Sequence, residues 1–160
     1  MAESVALTQQ IRDLLDGAGV QYRFVEHPPT RTSEESAAAR GEELRLGGKA
    51  LLIKAGDDFA LFVLSAVLKL DSDAVKQRFA VRKIRFASAD ELMSMTGLTP
   101  GSVPPFGRPL LPFPLYIDES IAANERIAFN AGSLTQSIVM PVADYLRLSG
   151  GEVFRFGATG

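Results

Sequence analysis

Two apolar runs in the middle of the chain, 49–54 (KALLIK) and 59–65 (FALFVLS), are separated by only four residues, AGDD. Runs of this length around Gly56 and Asp57, which suit a tight reversal, predict two paired antiparallel strands. A hairpin this apolar belongs at the centre of a fold, so every other element has to be arranged around it.

On the N-terminal side, Leu7, Ile11, Leu14, Leu15 and Ala18 recur three and four apart, the spacing of one buried helix face, with Gly17 or Gly19 to end it. A short strand is expected over 22–25, followed by a loop fixed by Pro28 and Pro29. Thr32 and Glu35 have capping-box spacing ahead of an alanine run, which starts a second helix. Beyond the hairpin, Asp71 can cap a helix carrying Ala74, Val75 and Phe79. Residues 83–86 read as a strand, and Ser88 with Glu91 caps another helix before Leu92 and Met95. Residues 97–114 hold six of the nine prolines, which rules out a helix or central strand over most of that length. An ordered loop of this size is usually functional. Strands are expected at 115–117, 126–130 and 138–140. A helix then begins beside Pro141, and a last strand covers 153–156. Hairpins with interspersed helices predict an α+β fold: a curved, mixed and mainly antiparallel sheet flanked by helices. With 160 residues, 46% of them hydrophobic, one domain spanning 1–160 is expected.

The composition removes several classes of function. There is no cysteine, which excludes disulfides, thiolate nucleophiles and sulfur-built zinc sites. The single histidine, His27, stands beside two prolines and makes no triad motif. The adjacent acidic pairs point apart in any regular element, so no metal is expected, and without GxxxxGKS or GxGxxG no nucleotide cofactor is either. No basic leader precedes a long apolar run and no stretch is long enough to cross a bilayer, so a cytoplasmic protein with no membrane partner is expected. A net charge of −2 requires that any nucleic-acid contact use a local patch. Lys76, Arg78, Arg82, Lys83 and Arg85 form one such cluster near a helix-to-strand junction; it is either a phosphate-contacting surface or a solvated helix face.

Three further features bear on chemistry. Lys49 follows Gly47 and Gly48 at the start of an apolar strand, where its charge either snorkels at the strand end or lines a cleft. The segment GSVPPFG, 101–107, can present backbone N–H groups to a ligand or serve as an ordinary stiff connection. FNAGS, 129–133, carries ordinary turn chemistry after a strand.

Taken in order, HPP with Thr32, Glu34 and Glu35, then GGKALLIK, GSVPPFG and FNAGS, the chain resembles the YbaK/ProX superfamily of aminoacyl-tRNA deacylases over nearly its whole length. The resemblance implies trans-editing: hydrolysis of the ester of a mischarged tRNA, with tRNA(Pro) carrying a small amino acid the expected substrate. Alanine comes first, with serine, threonine or cysteine behind. It implies a catalytic role for Lys49, which holds the terminal phosphate or the developing negative charge, and for Gly101, whose loop orients the aminoacyl carbonyl. By the same resemblance His27, Thr32, Ser102, Val103, Pro104, Asn130, Ala131, Gly132 and Ser137 are the substrate-binding set. No cofactor is implied, and a prolyl-tRNA synthetase is a candidate partner. Ala50 stands where alanine-editing relatives carry asparagine and cysteine-editing ones threonine, and Ser137 where the cysteine-editing type has aspartate. The alternative is a paralogue of the same fold that binds an aminoacyl or nucleotide-like ligand without turning it over. A third is a hydrolase of small esters.

Overall fold

A computed structural model describes residues 5–159; residues 1–4 and 160, which include part of the N-terminal stretch read for a leader, lie outside the described residues. The first half of the chain runs α1 (Val5–Gly17), β1 (Arg23–Glu26), α2 (Ser33–Arg40), a 3-10 turn (Leu44–Leu46), β2 (Gly48–Ala55), β3 (Asp58–Ser65), β4 (Lys69–Leu70) and α3 (Ser72–Phe79). The second half runs β5 (Ile84–Phe86), α4 (Ala89–Thr96), β6 (Leu115–Ile117), α5 (Glu119–Ala122), β7 (Arg126–Asn130), β8 (Gln136–Pro141), α6 (Val142–Ser149), β9 (Glu152–Val153) and β10 (Gly157–Ala158).

The expected hairpin is the centre. β2 pairs antiparallel with β3 from Gly48 opposite Ser65 to Ala55 opposite Asp58, inside a five-stranded sheet ordered β5-β2-β3-β6-β9. β5 joins antiparallel, whereas β6 and β9 join parallel. A second, three-stranded sheet, β1-β8-β7, is antiparallel throughout, and β10 pairs with β4. The fold is α+β with mixed and mainly antiparallel pairing. One isolated parallel bridge, Gly47 to Ala128, joins the two larger sheets.

Side chains alternate across the hairpin and so create two cores. Leu52, Leu61 and Val63 face α1 (Leu7, Ile11, Leu15), the proline-rich segment (Phe106, Leu111, Phe113) and the second sheet (Ile127, Phe129, Ile138). Ile53, Ala60, Phe62 and Leu64 face α3 through Val75 and the C-terminal segment through Phe156. There Phe62 stacks on Tyr116 at 5.3 Å and meets Phe79 and Phe156 edge-on at 5.8 and 5.3 Å. Each fully buried side chain of this size contributes about 1.5–3 kcal/mol. Residues 97–114 form neither helix nor strand, as their prolines require, yet Leu98, Phe106, Leu111 and Phe113 are buried. The segment is part of the core. Among the described residues no helix is long and apolar enough to cross a membrane.

One expectation needs correction. The last strand was placed over 153–156; the ladders are instead Glu152–Val153 and Gly157–Ala158, with Phe154 to Phe156 crossing between them. The cause is Asp118, whose Oδ1 accepts from the N–H groups of Phe156 at 2.6 Å and Gly157 at 2.7 Å and so draws the chain out of the sheet. Asp118 also caps α5, a helix of four residues that is too short to show a periodicity in sequence.

Candidate active site

A cleft of about 170 Å³ opens where α2, the start of β2, the Gly101 loop and the end of β7 meet, beside the bridge between the sheets. Gly48 permits the close approach that builds it, because a Cβ there would lie 2.6 Å from Ile127 Cδ1. Lys49 follows immediately and lines the cleft, and burial pushes its ammonium below the ordinary lysine value; Glu34 opposes this and Lys69 adds to it. The desolvated charge attracts a negative group strongly.

The opposite wall is the loop. Gly101 has φ +90°, a left-handed conformation that favours glycine, and its carbonyl accepts from Asn130 Nδ2 at 2.6 Å. The N–H groups of Gly101 and Val103, both cleft residues, have no acceptor among the described residues. A cleft that holds a desolvated ammonium and two residues whose backbone donors have no acceptor among the described residues has the groups needed to stabilise an oxyanion.

Of the residues singled out from the sequence, Lys49, Gly101, Thr32, Val103 and Asn130 line this cleft together. Thr32 also caps α2, its Oγ1 accepting from Glu35 N at 3.1 Å. Ser102, Pro104, Ala131 and Ser137 are buried and do not line it. Ser102 is turned onto Thr99, and Gly132, at φ +80°, packs against Leu7. His27 stands outside the cleft and is linked through Ser137 to the cleft residues Arg40 and Asn130. The sequence reading did not single out Thr30, Ser36 and Arg40, which also line the cleft. Arg40 is 7% exposed, and burial pushes its guanidinium down to about 10. Ser36, Ala37 and Arg40 share one helical face, but that spacing alone does not distinguish a buried arginine from a solvated one at a helix end.

The cationic cluster divides. Lys76, Arg82, Lys83 and Arg85 surround a second cavity of about 330 Å³ with Lys54 and Gly56, at the far end of β2 from Lys49. Arg78 lies apart and pairs with Glu152, while Arg85 is held by Glu91 at 2.8 Å.

Comparisons with known proteins give the family. The model of the aminoacyl-tRNA editing domain matches residues 27–148, so the chain belongs to that family, the class of tRNA deacylases acting on mischarged aminoacyl-tRNA. It is 30% identical to the multifunctional Ser/Thr-tRNA deacylase ProXp-y of Escherichia coli K12, over 99% of this chain and 98% of that protein. It is 32% identical to the prolyl-tRNA editing protein ProX of Acetoanaerobium sticklandii over 58% of each. Among solved structures, a candidate trans-editing enzyme for prolyl-tRNA synthetase superposes with a TM-score of 0.82 at 25% identity, covering 97% of this chain and 99% of that one.

Proposed function

We propose that this protein hydrolyses the ester of tRNA carrying a small hydroxylated amino acid, serine or threonine, with alanine the next candidate and tRNA(Pro) the first carrier to try. The observation that carries the reading is that Lys49 shares one cleft with Gly101 and Val103, whose N–H groups have no acceptor among the described residues. The preference for a hydroxyl is supported by the polar wall of Thr30, Ser36 and Asn130 and by the similarity to ProXp-y. Water attacks the aminoacyl carbonyl, the N–H groups and Lys49 balance the charge of the tetrahedral intermediate, and the ribose oxygen leaves with a proton. The substrate's own amine or neighbouring ribose hydroxyl serves to activate the water. Outside the cleft, the cavity ringed by Lys54, Lys76, Arg82 and Lys83 is suited to tRNA phosphates; neutralising two of these lysines should weaken tRNA binding and flatten its salt dependence.

The test is deacylation of Ala-, Ser-, Thr- and Cys-tRNA(Pro) and of Ser-tRNA(Ser), wild type beside Lys49→Ala. Hydrolysis of the seryl or threonyl species, lost by about 100- to 1000-fold in the variant, is the expected result. Hydrolysis of none would leave a binding protein of the same fold.

A further inference from the structure

Arg40 is a buried guanidinium with no carboxylate of its own among the described residues. Its nearest acid, Glu42, is held by Arg23 at 2.6 Å and Arg126 at 2.9 Å. Leaving a charge in such a place is costly, and an apolar side chain would fill the space more cheaply. Its donors instead go to two uncharged side chains: Nε to Ser137 Oγ at 3.0 Å and Nη2 to Asn130 Oδ1 at 2.9 Å.

The second contact decides which way the Asn130 amide faces. With Oδ1 fixed on Arg40, the NH2 of Asn130 is left for the Gly101 carbonyl, to which it donates at 2.6 Å. Without Arg40 the Asn130 oxygen keeps only the longer contact from Ser137 at 3.1 Å, and the amide that holds the Gly101 carbonyl is itself held less firmly. The first contact is fixed in its turn. The Pro28 carbonyl, 2.9 Å from His27 Nδ1, only accepts, so Nδ1 carries a proton; Ser137 Oγ then accepts from Arg40 and directs its single hydrogen to His27 Nε2 at 2.8 Å or Asn130 Oδ1 at 3.1 Å. Every member of the chain His27, Ser137, Arg40, Asn130 is engaged, and its last link is the loop that carries the two unengaged N–H groups.

We infer that Arg40 is a positioning residue: through Asn130 it clamps the carbonyl of Gly101 and so sets the donors of the Gly101 loop against the scissile ester. This rests on the deacylase reading. A planar fork is needed for two contacts in one plane, so lysine does not substitute.

The experiment pairs turnover with a readout independent of turnover. Asn130→Asp is the informative variant, because a carboxylate keeps and strengthens the contact to Arg40 while losing the donor to Gly101. Asn130→Asp and Arg40→Lys should each lower kcat by roughly 100-fold with KM little changed, as a displacement of about 1 Å does. The double variant should be no worse than either single one, since both act through one clamp. In parallel, amide hydrogen exchange of a peptide covering residues 97–106 should quicken in both variants, whatever the substrate proves to be. Wild-type turnover in Asn130→Asp, a multiplicative double variant, or unchanged exchange overturns the clamp. Quickened exchange together with a wild type inactive on every tRNA overturns the deacylase reading and leaves the clamp standing.

Discussion

Asp118 and Arg40 are both charged, both buried, and satisfied in opposite ways. Asp118 is 2% exposed and accepts from three backbone N–H groups, those of Ser120 at 2.9 Å, Phe156 and Gly157. Arg40 donates to the side chains of Ser137 and Asn130 and lines a cleft. A charge bound to backbone is tied to the path of the chain. A charge bound to side chains at a cleft is tied to the shape of the cleft, and its removal should be felt in activity before stability.

The largest expected effect lies at the first of these sites. Asp118→Ala orphans buried donors at the C-terminal crossing and the cap of α5, and should cost about 4 kcal/mol in urea unfolding. Burial raises the Asp118 carboxyl, but hydrogen bonds from Ser120, Phe156 and Gly157 outweigh it and hold the group below the usual carboxylate range. Its contribution to stability is therefore full above the unfolded value, about 3.9, and lost as pH falls through the lower folded value. Asp118→Asn should flatten that acid limb of a stability-versus-pH curve.

The contrast is sharpened by Arg40→Met, which relieves a desolvated charge while leaving Ser137 and Asn130 short of a donor. The two effects oppose, and thermal unfolding should move by no more than about 1 kcal/mol. A loss as large as that of Asp118→Ala would abolish the distinction. The smallest effect is expected at Lys49, where burial disfavours the ammonium. Lys49→Met should raise Tm slightly while removing activity, and a fall in Tm would mean that the lysine supports the fold.

Elements carried by local pattern were legible in the sequence. The hairpin's alternation, the alanine run behind Thr32 and the reciprocal capping box of Ser88 and Glu91 all appear where expected. The crossing at 154–156 was not, because Phe154 and Phe156 alternate as strand residues do, and the pull of Asp118 comes from 38 residues away. At the site, motif order led to Lys49, Gly101 and Asn130, but burial separated Ser137 and Ser102 from the cleft, and no local pattern announces burial. Arg40 was missed because an arginine at a helix end reads as solvated until the helix is seen packed.

Among the described residues the rung from Gly47 to Ala128 is the one isolated backbone bridge between the two larger sheets, a stitch through leaves that their shared core already binds face to face. Lys49 and Asn130 each stand two residues from the stitched pair, one on either leaf, so the spacing across the cleft is fixed by backbone as well as by side-chain packing.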